Sequence, residues 1–231
     1  MRARYAKNMP SIWLVTDERV PSAVLLASAA RLPKGRGGIL FRHYRTGPRE
    51  RRALFDRVAE VARRRRLVLL LAGPAREAAA WGADGWHGRG AGWAARPLLR
   101  SMAVHNAREL RGAERAGADL IFLSPLFATR SHPGGRVLGR VGFAALAHRA
   151  GIPVVALGGV RAGHWRMLKG LGASGWAAID GLTGGSGGGV IAGNLGAYPP
   201  LDRAATSSAS STSPSARRPC STPRRLGNGW F

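Results

Sequence analysis

At 231 residues and 45% apolar content the chain is long enough to bury one sizeable core, and its length calls for one domain rather than two. No apolar run approaches the roughly 18 residues of a membrane-spanning helix, and the start, MRARYAKNMPSIW, lacks the apolar stretch of a secretory leader, so a cytoplasmic location is expected. Cys220 stands alone, which excludes a disulfide framework or cysteine metal cluster, and the formal charge of +24 is carried almost wholly by arginine spread along the chain, without the aromatic interleaving or finger spacing of a specific nucleic-acid binder.

In chain order, short apolar runs recur at Ile12 to Thr16, Ile39 to Phe41, Leu67 to Leu71, Gly85 to His87, Ala103 to Val104, Leu120 to Leu123, Pro153 to Leu157 and Trp176 to Ile179. Several are too brief for helices, and they read as buried parallel strands. Helical spacing lies between them: Leu54, Val58 and Val61 recur at i, i+4 and i+7, as do His164, Leu168 and Leu171. Arg63 to Arg66 close the first of these helices, where cations favour the negative end of the dipole. Asn106 followed by Glu109 resembles a capping box.

A weak internal repeat supports the alternation. Gly82-Ala83-Asp84-Gly85-Trp86, Gly117-Ala118-Asp119-Leu120-Ile121 and Gly172-Ala173-Ser174-Gly175-Trp176 each put a glycine after a helical pattern and before an apolar stretch. Glycine there can take the left-handed conformation that ends a helix. Eight strand–helix units of this kind predict an α/β fold, a single-domain (β/α)8 TIM barrel; an open doubly wound sheet is the alternative. The expected organisation is an N-terminal extension over residues 1–11, a barrel over 12–182 and a disordered, low-complexity tail over 183–231, native or arising from a frame alteration, since its glycine, serine, threonine, proline and arginine mixture cannot bury a core. The eighth helix has no convincing sequence.

Active sites of such barrels gather at the C-terminal ends of the strands. The residues expected there are Thr16, Asp17, Arg42, His43, His87, His105, Ser124, Gly158, Gly159, Ile179 and Asp180. The Gly158-Gly159 pair would let backbone N–H groups approach a phosphate, and the polar stretch Thr129 to Gly135 could fold over a ligand.

The segments IWLVTDERV, GADGWH, AVHNARELRGAERAGADLIFLSPLFATRSHPGG and AGIPVVALGGVRAG resemble thiamine phosphate synthase and its thiazole tautomerase (TenI) relatives over about residues 12–182. The resemblance implies a transferase that joins hydroxymethylpyrimidine diphosphate to a thiazole phosphate with loss of pyrophosphate. In that family Mg2+ and basic residues hold the leaving group, as cation formation beside a departing pyrophosphate requires. Carried over residue by residue, Arg42 matches the basic residue on the diphosphate and Tyr44 replaces a lysine. Ala72 and Gly73 replace the Asn-Asp pair after the third strand, and Gly92 falls near the second metal aspartate, so no protein metal ligands are expected and Mg2+ would come chelated by the substrate. Ala103 replaces a serine, and His132 replaces the lysine of the closing loop. Thr129 and Ser131 match the thiazole phosphate loop, Gly158 and Gly159 the phosphate glycines, and Asp180 replaces a serine. The tautomerase base aligns with Pro125, leaving His132, His105 or His87 as candidates.

The resulting expectation has Arg42 and His132 as catalytic charge stabilisers. His43, His87, His105, Ser124, Thr129, Ser131, Gly158, Gly159, Ile179 and Asp180 are expected to contact substrate. The partners implied are a phosphorylated small molecule and a second copy of the chain in a homodimer, with neither a membrane nor a specific nucleic acid. Two rivals stand beside it: a catalytically inactive or tautomerase-like barrel that binds a phosphorylated thiamine precursor, and a basic nucleic-acid-associated protein.

Overall fold

Eight strands pair in parallel in chain order and close on themselves, β1 with β8, which excludes the open sheet. They are β1 (Ile12–Val15), β2 (Gly37–Phe41), β3 (Val68–Ala72), β4 (Gly85–His87), β5 (Leu99–Val104), β6 (Leu120–Leu123), β7 (Val154–Ala156) and β8 (Gly175–Ala178). The computed structural model describes residues 9–90, 92, 94–129 and 134–184. The helices are α1 (Ser22–Arg31), α2 (Pro48–Arg65), α3 (Ala75–Trp81), α4 (Ala107–Arg115), α5 (Gly139–Ala147), α6 (Trp165–Gly170) and α7 (Asp180–Thr183).

The period of two along each strand divides the core. Trp13, Val15, Leu40, Leu70, Ala72, Leu120, Phe122, Val155 and Ala177 fill the barrel interior. The alternate residues, among them Ile12, Leu14, Ile39, Phe41, Leu69, Leu71, Ile121 and Leu123, pack outward against the helices. Trp13 meets Phe122 edge to face at 5.5 Å and donates its indole N–H to Pro10 O at 2.8 Å. Ser11 O accepts from Trp176 N–H at 2.9 Å, so residues 10 and 11 are tied to the lower rim of the barrel.

The repeated glycines perform the expected turn: Gly82, Gly117 and Gly172 have φ of 78°, 70° and 88°. The aspartates beside them have a role that the pattern alone does not reveal. Asp84 Oδ2 accepts Leu69 N–H at 2.9 Å and Asp119 Oδ2 accepts Arg100 N–H at 2.8 Å, so each carboxylate latches the start of the preceding strand. Asp119→Ala should therefore cost about 1–2 kcal/mol by leaving the Arg100 N–H unpaired, read as a lowered urea midpoint.

On α2 the buried face is Leu54, Phe55, Val58 and Ala62, with Val61 only half-buried. At its end, Arg63 and Arg64 pair with Glu60, and Arg65 donates to Leu32 O at 2.7 Å.

Two departures from regular alternation shape the barrel. No helix forms among the described residues between β4 and β5, where Gly88, Gly90, Gly92 and Pro97 oppose one. Instead Gly88 and Gly92 lie against the Trp86 ring, and the Arg100 guanidinium stacks on it at 4.7 Å. β5 also starts at Leu99, four residues ahead of the apolar Ala103-Val104 pair, because Arg100 and the fully buried Ser101 are absorbed into the strand by Trp86 and His87. The eighth helix is the four-residue α7, ended by Gly184 at φ 78°. The tail beyond it, including Cys220, lies outside the described residues, as do Arg130, Ser131 and His132. No helix among the described residues is long and apolar enough to cross a membrane.

Candidate active site

A cavity of about 490 Å3 opens at the C-terminal ends of the strands. Its floor is the upper layer of the barrel interior, Val15, Leu40, Phe122 and Ala177; its walls carry Arg42, His87, His105, Ser124, Thr129, Arg136, Gly158, Gly159, Arg161, Ile179 and Asp180. Most sequence-nominated residues thus converge on one space. Thr16, Asp17 and His43 do not line it, and Ser131 and His132 fall outside the described residues.

The β2 exit explains His43. Thr16 Oγ1 accepts the Arg42 N–H at 2.9 Å and lies 2.9 Å from His43 Nδ1. His43 takes a left-handed backbone, φ 46°, and stacks on Phe41 at 4.8 Å, so it is buried beneath the turn while Arg42 faces the cavity. Burial, chiefly, pushes His43 below its ordinary pKa. Arg51 supports the same turn from α2, donating to Arg42 O at 3.2 Å and Ala72 O at 2.7 Å. The Arg42 guanidinium rests over the Tyr44 ring at 5.5 Å.

His87 ends β4. Its Nδ1 lies 2.9 Å from Ser101 Oγ, whose hydroxyl donates to Trp86 O at 3.3 Å. Both bonds together require that His87 carry its proton on Nδ1, leaving Nε2 as an acceptor. Burial, with Arg42 and Arg89 nearby, lowers its pKa to about 4. The ring stands edge-on to Phe122 at 5.5 Å.

The glycine pair after β7 has positive φ, 96° at Gly158 and 64° at Gly159. A Cβ on Gly158 would lie 2.8 Å from Pro125 Cα, and one on Gly159 2.6 Å from Ala128 O. The β6 and β7 exits are stitched here: Leu126 N–H donates to Leu157 O at 2.9 Å and Phe127 N–H to Gly158 O at 3.1 Å. The glycines thus serve loop packing, and their own N–H groups have no acceptor among the described residues. Arg161 and Arg136 also line the cavity; Arg136 sits on a loop with no strand-end register, so spacing alone does not point to it.

The described carboxylates of the mouth lie beside Arg19. Asp17 is taken by Arg19, which donates to its two oxygens at 2.7 and 3.0 Å and holds its carboxyl below the usual range. Asp180 interacts electrostatically with Arg19. Ala72 and Gly73 offer no side-chain donor, and the place of a Gly73 side chain is occupied by Glu77 Oε2, 2.8 Å from where its Cβ would be. Glu77 in turn pairs with Arg51 at 3.0 Å. No group of three metal-ligating side chains occurs among the described residues.

A closed parallel barrel of eight strands with a cavity at their C-terminal ends defines the (β/α)8 class of fold. The family model for thiamine monophosphate synthase matches residues 12–182, and the chain belongs to that family. A thiamine-phosphate synthase of Syntrophomonas wolfei is 30% identical over 188 residues, covering 76% of this chain and 90% of the relative. Other relatives match over shorter stretches: the Pyrococcus furiosus synthase is 31% identical over 87 residues, and the chain spans 42% of that protein. The solved thiamine phosphate pyrophosphorylase of Pyrococcus furiosus has the same fold, with a TM-score of 0.64 and 24% identity over 78% of this chain and 90% of that one.

Proposed function

We propose that the chain is a thiamine phosphate synthase-type transferase, joining hydroxymethylpyrimidine diphosphate to thiazole phosphate with loss of pyrophosphate. The observation that carries this reading is the pairing, in one cavity, of Arg42 at the β2 exit with the Gly158-Gly159 turn and Arg161 at the β7 exit. Two anionic groups can then be held above an apolar floor. Arg42 stabilises the charge that develops on the leaving diphosphate, His132 adds to it from the closing loop, and the glycine N–H groups with Thr129 and Ser131 take the thiazole phosphate. Ser124, Ile179 and the neutral His87 position the rings, while His43 acts from beneath the turn by keeping Arg42 in place. Any Mg2+ arrives chelated by the diphosphate rather than on a protein carboxylate.

The protein is proposed to act in the cytoplasm, as a homodimer, without a specific nucleic-acid partner. The test is formation of thiamine phosphate from both substrates, read as fluorescent thiochrome after oxidation. Arg42→Ala should weaken pyrimidine diphosphate binding about tenfold to a hundredfold, the value of a charge-assisted contact, with the melting temperature preserved. An unchanged dissociation constant removes the role given to Arg42.

A second reading is favoured by Ala72 and Gly73 at the third strand's exit and by Pro125 at the tautomerase base position: an inactive or tautomerase-like barrel that binds a phosphorylated thiamine precursor. Calorimetric binding of pyrimidine diphosphate with no thiochrome would establish it.

A further inference from the structure

The rim above β5 contains a hydrogen-bonded histidine–carboxylate pair that the anion-binding role of the cavity does not use. His105 lines the cavity, and its Nδ1 lies 2.8 Å from Glu109 Oε2. The same oxygen accepts the His105 backbone N–H at 3.0 Å and is reached by Arg89 Nη2 at 2.7 Å. Burial works against the Glu109 charge, but the two bonds from His105 and the Arg89 guanidinium outweigh it and hold the carboxyl below its ordinary range. The carboxylate also sits in the first turn of α4, where the helix dipole favours a negative charge, and Asn106 Oδ1 caps Glu109 N–H at 2.9 Å. An ionised carboxylate only accepts, so in the neutral imidazole the proton lies on Nδ1 and Nε2 carries the lone pair.

We propose that His105, positioned by Glu109, is the proton-transfer group of this site, relieving an aminopyrimidine diphosphate of an amino proton as its leaving group departs. The proposal rests on the transferase reading above. The ring amino group is conjugated to the carbon that bears the diphosphate, so loss of the leaving group alone places a full positive charge on the ring. If His105 Nε2 takes one amino proton, the N–H bond breaks and a C=N bond forms. The C–O bond breaks with its electron pair leaving on the diphosphate oxygen, and a neutral methide remains. The thiazole nitrogen then adds to the exposed carbon, and His105 returns its proton to the imine nitrogen. Atoms and charge balance over the two steps, and the imidazolium formed between them faces the Glu109 carboxylate.

This role suits a chain whose strand-three exit holds no metal ligand, because a base that neutralises the developing cation supplies stabilisation from the opposite end of the breaking bond. His87 does not serve it. That imidazole is held by a neutral serine, and burial together with Arg42 and Arg89 opposes its protonation.

The full-length protein, His105→Gln, His105→Ala and Glu109→Gln should be compared for thiamine phosphate formation across pH. His105→Gln is expected to lower kcat by about a hundredfold or more, to flatten the acid limb of the rate profile and to leave pyrophosphate inhibition unchanged. Glu109→Gln should lower kcat by at least about tenfold and displace that limb. Added imidazole should restore rate to His105→Ala. A His105→Gln enzyme with wild-type kcat and pH profile overturns the proposal while the transferase reading stands, and so does a rise in KM with kcat unchanged. Wild-type protein that binds the pyrimidine diphosphate but forms no product overturns both.

Discussion

Replacing Gly38 by alanine should lower the stability of the barrel by about 3 kcal/mol, a fall of roughly 10 °C in Tm for a domain of this size. Gly38 lies on the inward face of β2, and a Cβ there would come within 2.6 Å of Trp13 Cδ2. The indole has nowhere to go: it is fully buried, its N–H is bonded to Pro10 O, and it meets Phe122 edge to face. An interior packed to crystal density absorbs an added methyl only by shifting backbone or forcing an off-rotamer ring. Gly112→Ala is the matched control, since nothing lies within 4 Å of its Cβ position and it sits inside α4. There alanine should be neutral or stabilising by up to about 1 kcal/mol. A Trp13→Leu change in the Gly38→Ala background should recover part of the loss, and a double-mutant cycle with no coupling would show that the indole does not set the constraint.

The same Trp13 shows why the fold was legible in sequence. Strands buried on both sides need continuous apolar runs, and those at Ile12, Leu120 and Val154 are short, uninterrupted and preceded by turns, so length alone separates them from helices. The start of β5 was not legible, because Arg100 and Ser101 break the run and are admitted only by partners on β4: the Trp86 ring for one, His87 and the Trp86 carbonyl for the other. The Asn106 cap was readable, but its partner was not. Glu109 bypasses the Asn106 N–H and takes the His105 N–H and imidazole instead, a choice made by geometry across the β5 exit.

The site divides along similar lines. Arg42, His87 and His105 were nominated by the strand-end rule, and all face the cavity because parallel strands deliver their C-terminal residues to one rim. His43 follows Arg42 directly, yet a left-handed turn sends it under Thr16, and a positive φ at a non-glycine residue has no sequence signature. Neither the Arg51–Glu77 pair nor its occupation of the Gly73 side-chain position follows from spacing, since α2 and α3 meet only once the barrel closes.

The ionisation of His87 has a consequence for stability that can be measured without any substrate. In the unfolded chain a histidine titrates near 6.5, whereas in the barrel His87 remains neutral down to about 4. Between these values the unfolded chain binds the proton and the native protein does not, so stability falls as pH is lowered through that window and levels off below it. At roughly 1.4 kcal/mol per pH unit the loss approaches about 3 kcal/mol as an upper bound. Urea midpoints at pH 7 and pH 4.5 should separate clearly for the wild type and much less for His87→Gln, which keeps a donor for Ser101 and cannot charge. His43 and His164, both also lowered by burial, leave a residual slope of the same sign. Equal slopes in variant and wild type would mean that His87 protonates freely in the native protein and that Nε2 is no fixed acceptor. A slope that shrinks to that residual with His87 removed leaves an imidazole nitrogen beside Arg42 that stays an acceptor throughout the neutral range, able to select a ligand N–H over a carbonyl of the same shape.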